Sequence, residues 1–521
     1  MKIGTLDILV FISYLIGLIL LSFFVSREKD GKDKNAEDYF LAGKSLPWWA
    51  IGSSLIAANI SAEQIIGMSG SGYAIGMAIA SYEWMSALTL IIVGKYFLPI
   101  FLSKKIYTMP QFLENRYDHR VRTVMSIFWL LLYVIVNLTT VLYLGALAIH
   151  SVTDVSMLNA MIFLGAFSFT YSIYGGMKAV AFTDVLQVVI LVFGGLMVSY
   201  LALDKISSHT GVLIGFKTLV QLAPEKFDMI LEPSNPNYRN LPGISVILGG
   251  MWIMNFSYWG FNQYITQRAL AAKTLDEAQK GIALAAYLKI LMPIIVVLPG
   301  IAAFVLIPDL KPSDRAFPEM MKLVPSGFLG LVFAALVAAV SSSLSSMSNS
   351  ISTLFTLDIY KQILNKNASE KNLVLTGRIT ASVSMLFAVL VAEPFIGKSD
   401  QAFQVIQEFT GFFTPGIVLI FLFGFFWKRA TSLSALVSAI GSFVLSIIFK
   451  FSLPEIPFMD RVGIVFILCF LLSVALTLFG KKEDHPNAID LKGISFHTSL
   501  GYTISGIGIL FILITLYSIW W

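Results

Sequence analysis

Polar and flexible residues are concentrated within one apolar stretch of the sequence, at 48–70. Asn59, Glu63 and Gln64 lie within two helical turns of one another, and three glycines follow within eight residues. This density predicts a helix that breaks inside the stretch, because a break frees backbone carbonyls that can coordinate an ion or a substrate. A tight helix interface is the alternative, since small residues also allow helices to pack closely.

A second polar run, 255–263, interrupts another apolar stretch, at 243–267. It begins with Asn255 and ends with Asn262 and Gln263. Two interrupted hydrophobic segments at corresponding places in two halves of a chain are typical of inverted-repeat membrane proteins that bind a solute at the repeat interface. The two runs therefore predict one shared binding site.

A serine-rich segment, 341–346, suggests a site for a hard cation. Ala339, Ser342 and Ser343 are spaced i, i+3 and i+4, which places one carbonyl and two hydroxyls on one helix face. Hard cations prefer such oxygen ligands. Together with the freed carbonyls of Ala57 and Ile60, these groups predict a sodium site, although serines are also common where membrane helices pack.

The same i, i+3 and i+4 spacing recurs three residues further along the chain, at Ser342, Ser345 and Ser346. Asp184 is the only carboxylate in the apolar stretch 179–203. These four residues predict a second sodium site, because carboxylates and hydroxyls are ligands of hard cations. Alternatively, Asp184 only hydrogen-bonds serines or orders a nearby loop close to Lys178.

The composition indicates that most of the chain is embedded in lipid. Hydrophobic residues make up 57 % of the 521 residues and charged residues 13 %, about half the usual share of charge in soluble domains. The single cysteine excludes a disulfide framework and a multi-thiolate metal site, and no basic stripe with interleaved aromatics indicates nucleic acid. An integral protein of the lipid bilayer is expected, with no nucleic-acid partner and no enzymatic activity.

Apolar segments long enough to cross a bilayer recur along the whole chain. We predict an all-α polytopic membrane protein with about fourteen transmembrane helices. The segments are 5–25, 48–70, 74–103, 121–149, 155–174, 179–203, 243–267, 278–307, 326–359, 374–393, 401–426, 432–450, 461–479 and 498–519. We divide them into a leading helix (1–30), a first five-helix repeat (46–204), a second, inverted one (243–427) and three trailing helices (428–521).

Basic residues are unequally distributed between the two sets of connecting loops. About 23 of the 36 lysines and arginines fall in alternate connections, which the positive-inside rule assigns to the cytoplasm. Both termini and the long loops 206–242 and 308–325 are then expected outside, in a multi-pass protein of the cell membrane, with a bacterial inner membrane favoured. The sequence does not predict an oligomeric state.

These motifs resemble the sodium/solute symporter family, and within it the branch of bacterial sodium/galactose (sodium/glucose) cotransporters. The resemblance is carried by DYFLAGK at 38–44, AANISAEQ at 57–64, SYEW at 81–84, TMPQF at 108–112, YGG at 174–176, YWGFNQ at 258–263, QVIQE at 404–408 and GFFWKR at 424–429. It implies a LeuT-type inverted-repeat core and alternating access around a central sugar. The family's bacterial galactose carriers have apolar residues in place of Ser341 and Ser345.

The resemblance also implies roles for individual residues. By position, the residues that would hydrogen-bond a hexose are Gln64, Glu83, Ser86, Asn255, Lys289 and Gln407, with Asn59 as a support between the sugar and sodium. The residues that would form the gates are Met68, Tyr82 and Phe403 on the outer side and Tyr258 below the sugar. A ring of sugar hydroxyls needs both donors and acceptors, which this set supplies.

The sequence leaves alternatives open. Glu83 and Lys289 could form a purely structural ion pair, because an isolated ion is costly in a membrane. The solute carried with sodium could be a polyol or sialic acid in place of a hexose. A sugar-binding sensor or channel without coupled transport is the alternative from a different functional class.

Overall fold

The computed structural model describes residues 4–26, 44–104, 109–172, 177–480 and 483–521. Outside it lie both ends of the predicted leading helix 1–30, most of the 38–44 motif, Thr108 and the 174–176 motif. The described part of the chain is helical and has no named strand, with one isolated β-bridge between Leu46 and Ala272.

The α-helices of the first half, in chain order, are α1 Thr5–Ser26, α2 Trp48–Asn59, α3 Met68–Ala74, α4 Ser81–Tyr96, α5 Leu98–Ser103, α6 Met109–Arg116, α7 His119–Leu131, α8 Thr139–Thr153, α9 Met157–Ser172, α10 Met177–Ile206 and α11 Val212–Leu222. Those of the second half are α12 Ile244–Leu248, α13 Gly250–Phe261, α14 Gln263–Leu270, α15 Leu275–Leu306, α16 Ala316–Met321, α17 Phe328–Thr353, α18 Glu370–Ile396, α19 Ala402–Thr410, α20 Thr414–Phe426, α21 Ser432–Ser452, α22 Phe458–Phe479 and α23 Leu500–Ile519. Three π-helical stretches join these helices, at Glu63–Gly67, Leu132–Leu138 and Leu354–Leu364.

The protein is a multi-pass membrane protein, and each of the fourteen predicted segments falls on helix. Within the described residues, nine helices are long and apolar enough to cross a membrane, or ten if the bent pair α19–α20 counts as one span. The axes of that pair differ by 45°. The count of fourteen is therefore not confirmed, because several predicted spans are divided into pieces that are too short or too polar by themselves. The division into repeats at 46–204 and 243–427 stays a prediction.

Helix α15 runs beside both halves of the broken second segment, and glycines make this close approach possible. A Cβ on Gly300 of α15 would lie 2.1 Å from the Ser69 carbonyl oxygen of α3. A Cβ on Gly52 of α2 would lie 2.7 Å from the Gly281 carbonyl oxygen of α15. Since neither contact leaves room for a side chain, these glycines determine how closely α15 approaches the break.

The leading helix α1 is attached to the start of the serine-bearing helix α17. Asp7 accepts hydrogen bonds from the backbone N–H groups of Gly327 (2.6 Å) and Gly330 (2.9 Å) and from the Ser326 hydroxyl (3.0 Å). The first N–H groups of a helix have no partner within the helix, and a carboxylate there also complements the helix dipole. Asp7 therefore caps α17.

Arg116, at the end of α6, contacts the end of α20, which is distant in sequence. Its side chain is 1 % exposed, and the guanidinium donates to the carbonyls of Gly424 (2.9 Å), Trp427 (3.0 Å) and Ala430 (3.3 Å). The last carbonyls of a helix lack helical partners, and burial makes their loss of water costly. One arginine thus supplies hydrogen-bond donors to backbone carbonyls in and directly after the GFFWKR motif.

We predict that Arg116→Met destabilises the protein by about 2–4 kcal/mol, because it leaves several buried carbonyls without donors. The apparent melting temperature in detergent should fall by about 5 °C or more. Arg120→Met is the matched control, since Arg120 is exposed four residues later and should change the melting temperature by less than about 2 °C. Equal melting temperatures for the two variants would refute the structural role of Arg116.

Candidate functional site

A cavity in the centre of the helices brings the predicted substrate residues together. All seven of them line it, and so do Tyr82, Tyr258 and Phe403 of the predicted gates. Its complete lining is Asn59, Glu63, Gln64, Tyr82, Glu83, Ser86, Trp129, Leu132, Asn137, Met254, Asn255, Ser257, Tyr258, Trp259, Asn262, Lys289, Phe403, Gln407, Thr410, Thr414 and Ile417. The broken second segment, α4, α13, α15 and α19 thus converge on one space.

An ion pair between Glu83 of α4 and Lys289 of α15 lies at one side of the cavity. The Lys289 ammonium is 2.5 Å from a carboxylate oxygen of Glu83, and both residues are 1 % exposed. Lys289 also donates to the Asn59 amide oxygen and lies 5.1 Å from the centre of the Trp259 ring. An isolated charge at membrane depth costs much free energy, and the two opposite charges reduce this cost by neutralising each other.

A chain of hydrogen bonds connects Ser86 of α4 with α13. The Ser86 hydroxyl lies 2.5 Å from the Asn255 amide oxygen and 2.6 Å from the Tyr82 carbonyl oxygen, and it accepts from the Trp259 indole N–H at 2.9 Å. The Asn255 amide nitrogen donates to the Met251 carbonyl (3.1 Å). These contacts fix the orientation of Ser86 and Asn255 beside the cavity.

Three of the four predicted gate residues line this space. The Tyr82 and Phe403 rings meet edge to face with their centres 5.1 Å apart, whereas Met68 is fully buried and does not line the cavity. Tyr258 accepts a hydrogen bond from the Asn59 amide at 3.1 Å. Tyr82 and Phe403 thus meet at the cavity, and the gate roles of all four residues stay predictions.

The second segment breaks at residues 60–62, as the sequence predicts. The Ser61 N–H donates to the Asn59 carbonyl (2.9 Å) and the Gln64 N–H to the Ser61 carbonyl (3.2 Å). In a continuous helix these two donors would serve the carbonyls of Ala57 and Ile60. Both carbonyls are thus released from helical bonding and can serve as ligands.

The predicted sodium ligands of α17 lie on a helix that packs against α2. Ala339, Ser342 and Ser343 are all buried, at 0, 7 and 6 % exposure. The Ser343 hydroxyl has no hydrogen-bond partner among the described residues. A buried hydroxyl without a partner is costly unless a ligand or water occupies the space beside it. The donor set fits a hard cation, and the assignment of these residues to sodium stays a prediction.

Asp184 of the predicted second sodium site lies in a different buried cluster. One of its carboxylate oxygens accepts from the Ser54 hydroxyl (2.7 Å) and is 3.6 Å from the Arg268 guanidinium, which also donates to Ser54 at 2.9 Å. Asp184 therefore does hydrogen-bond a serine, though one in α2 and not in α17. Ser345 and Ser346 lie on α17, which packs against the helix of Asp184, and the second site stays a prediction.

Several polar residues of the cavity have no predicted site role, among them Glu63, Asn137, Thr410 and Thr414. Glu63 stands out in the sequence as a carboxylate in an apolar segment, but the resemblance assigns it no role. Asn137 and Thr410 are uncharged, so a search for ionisable residues misses them. An asparagine within the predicted span 121–149 was the available signal. Glu408, which directly follows the cavity residue Gln407, does not line the cavity.

Comparison with known proteins agrees with this geometry. The family model described as "Sodium:solute symporter family" matches residues 39–441. A sodium/glucose cotransporter of Vibrio parahaemolyticus is 48 % identical, with 99 % of this chain and 98 % of the relative covered. The human sodium/myo-inositol cotransporter is 31 % identical, with 87 % of this chain and 68 % of the relative covered.

A solved structure of a Na+-coupled sialic acid symporter in a substrate-bound outward-open state resembles this one with a TM-score of 0.77. The identity is 23 %, and the alignment covers 92 % of this chain and all of the other. At that identity the likeness shows the fold alone. It confirms the predicted all-α, LeuT-type fold with its inverted five-helix repeat. By the family model and the 48 % identity, the chain belongs to the sodium:solute symporter family.

Proposed function

We propose that this protein imports a neutral hexose, such as glucose or galactose, together with sodium by alternating access. The observation that carries the proposal is that all seven residues predicted to surround a hexose line one central cavity. The 48 % identity to a sodium/glucose cotransporter supports the same substrate. We further propose the cell membrane as its location.

The chemistry of the cavity suits a ring of hydroxyl groups. Carboxylate and amide oxygens accept hydrogen bonds, whereas the amide nitrogens and the ammonium of Lys289 donate them. The aromatic side chains of Tyr82, Tyr258 and Trp259 offer apolar faces to the carbon skeleton of a sugar. A mostly apolar wall with a few converging polar groups is the usual form of a small-molecule site.

Sodium would act on the break in the second segment. Bound to the carbonyls of Ala57 and Ile60 and to the group Ala339, Ser342 and Ser343, the ion would join α2 to α17. Since Asn59 lies between Ala57 and Ile60 in the sequence and contacts Lys289, sodium at this place would also fix the hexose site. Inward opening would separate α2 from α17 and weaken both sites together.

The number of sodium ions carried with each hexose depends on the second predicted site. Asp184 is engaged by Ser54 and Arg268, so an ion bound by Asp184, Ser342, Ser345 and Ser346 would have to compete with that cluster. We therefore propose that one sodium ion at the first site is tightly coupled to the hexose. The second site would bind sodium separately and more weakly.

Cyclic polyols are the second candidate substrates. The human relative named as a sodium/myo-inositol cotransporter supports them, and a cyclitol presents a ring of hydroxyls similar to that of a hexose. Sialic acid is disfavoured by charge. Among the described residues that line the cavity, Lys289 is the only lysine or arginine, and its ammonium is already paired with Glu83.

We propose that both ends of the chain face the outside. Asp7, near one end, contacts Ser326 beside the loop 308–325, and the Trp520 carbonyl, near the other end, accepts from the Met229 N–H (2.8 Å) in the loop 206–242. Both loops are predicted to be external by the positive-inside rule. The contacts support one external face shared by the two termini.

Purified protein in proteoliposomes should accumulate glucose or galactose above the external concentration when sodium is high outside. Replacing external sodium with potassium should reduce uptake at least about tenfold, since coupling free energies commonly correspond to 5- to 150-fold changes in affinity. Entry that equilibrates at the same rate without a sodium gradient would identify a channel and refute the proposal. Accumulation of myo-inositol in preference to both hexoses would instead favour the polyol alternative.

Ser343→Ala should raise the sodium concentration for half-maximal uptake about tenfold, because it removes one of about five oxygen ligands. Ser341→Ala is the matched control. Its hydroxyl is equally buried and also lacks a partner among the described residues, but it lies two residues earlier, on a different helix face. A normal sodium dependence of Ser343→Ala, or an equal shift in both variants, would exclude Ser343 as a sodium ligand.

The roles of Glu83 and Lys289 can be separated by single and double substitutions. Lys289→Met should lower stability by about 3–5 kcal/mol, because Glu83 is left buried without its partner, and it should abolish hexose uptake. The double variant Glu83→Gln, Lys289→Met should recover most of the melting temperature but less than about 1 % of the uptake, because charge balance returns without the hydrogen-bonding groups. Recovered uptake in the double variant would show that the ion pair is purely structural.

A further inference from the structure

The first turn of α22, a helix that follows the predicted repeats, lies against two helices that carry predicted substrate residues. A Cβ on Gly250 of α13 would lie 2.2 Å from the Met459 carbonyl oxygen of α22, which leaves no room for a side chain. A Cβ on Gly411, directly after α19, would lie 2.8 Å from the Val462 side chain of α22. The first turn of α22 is therefore in close contact with both α13 and the end of α19.

An ion cluster joins the same turn to the end of α19. The Glu408 carboxylate contacts the Arg461 guanidinium of α22 (2.6 Å) and the Lys450 ammonium of α21 (3.1 Å). The Glu408 and Arg461 side chains are 25 and 11 % exposed, so water and salt screen their attraction only in part. Lys450 also lies 4.6 Å from the centre of the Phe409 ring. One carboxylate thus attaches α19 to two helices outside the predicted repeats.

Glu408 directly follows Gln407 on α19, but only one of the two residues lines the cavity. Gln407 and Thr410 belong to the lining, whereas Glu408 does not. Successive residues of an α-helix point about 100° apart, so a contact that fixes Glu408 also fixes the rotation of α19 about its axis. At the other end of α19, Asp314 accepts from the Ala402 N–H at 2.8 Å. Groups outside the cavity lining therefore hold both ends of the helix that carries Gln407.

We propose that Glu408, held by Arg461 and Lys450, is a positioning residue of the hexose site and acts through Gln407. The first turn of α22 would then fix the spacing between two predicted sugar ligands, Asn255 of α13 and Gln407 of α19. The inference rests on the proposed hexose transport and adds groups outside the cavity that determine the affinity of the site.

The physical basis is that hydrogen bonds weaken steeply when the distance or the angle departs from the optimum. A small rotation or shift of α19 would thus weaken the bond between Gln407 and a sugar hydroxyl. Binding sites depend on supporting residues that hold the contacting side chains in place. A carboxylate between two cations gives such a defined geometry, although exchanging a buried ion pair for apolar groups often leaves stability unchanged. Affinity and stability are therefore separable measures of this cluster.

The test is hexose binding to the purified protein in saturating sodium, measured by titration calorimetry with glucose or galactose. Glu408→Leu should raise the hexose dissociation constant about five- to tenfold, the effect of losing one hydrogen bond to the sugar. Glu455→Leu is the matched control. Glu455 pairs with Arg239 in an exposed contact, so its substitution should change the constant by less than about twofold.

A double-mutant cycle tests whether Glu408 acts through Gln407. Gln407→Ala should weaken hexose binding about tenfold. Adding Glu408→Leu to Gln407→Ala should change the dissociation constant by less than about twofold, because the contact that Glu408 positions is already absent. Independent effects would multiply to about 50- to 100-fold, and that result would overturn the action through Gln407. Unchanged hexose binding by Gln407→Ala would overturn it as well.

Substitutions of Arg461 distinguish positioning from a general effect on stability. Arg461→Lys retains a cation beside Glu408 and should bind hexose more tightly than Arg461→Leu. The melting temperature in detergent verifies that each variant is folded. Glu408→Gln, which keeps the shape and removes the charge, replaces Glu408→Leu if the latter does not fold. A lower melting temperature with an unchanged hexose dissociation constant would show that the cluster is structural only.

The outcomes distinguish this inference from the proposed function. Sodium-dependent hexose binding that is equal in the unsubstituted protein and in the folded Glu408 variant would overturn the positioning role alone. Absence of hexose binding by the unsubstituted protein in sodium would remove both proposals together.

Discussion

The hydrocarbon interior of a membrane offers no hydrogen bonds, so each polar group within it needs a partner inside the protein. Much of this structure follows from that constraint. The buried guanidinium of Arg116 satisfies the end of α20, Asp7 satisfies the start of α17, and Lys289 and Glu83 neutralise each other. The buried amide oxygens of Gln64 and Asn137, which line the cavity, and the Ser343 hydroxyl have no hydrogen-bond partner among the described residues. A bound solute or ion would supply the missing partners at these places.

The same constraint determines how α19 is held in place. This helix carries the predicted gate residue Phe403 and the predicted sugar ligand Gln407, and charged groups contact it at both ends. At its start, the Ala402 N–H donates to Asp314 (2.8 Å). Near its end, Glu408 pairs with Arg461 (2.6 Å) and with Lys450 (3.1 Å) of the trailing helices. These attachments position Phe403 and Gln407 of α19 beside the cavity.

Hydropathy predicted the helical segments well, because their apolar length is a property of the sequence alone. The break after Asn59 was predictable for the same reason, since polar residues and glycine interrupt that length. The convergence of Gln64, Glu83 and Lys289 came from resemblance to a family, and periodicity could not have supplied it. Contacts between distant segments, such as Asp184 with Arg268 or Arg116 with Gly424, depend on packing that no local pattern encodes. Asn137 was missed because an amide gives a weaker signal than a charge.

The proposed coupling between sodium and hexose can be measured by reciprocal binding. If the Ala57 and Ile60 carbonyls join both sites, titration calorimetry of the purified protein should show glucose or galactose binding at least about tenfold tighter in sodium than in potassium. Sodium should bind tighter by the same factor when the hexose is saturating, because linkage is reciprocal. Equal hexose dissociation constants in sodium and in potassium would show that the two sites are not coupled.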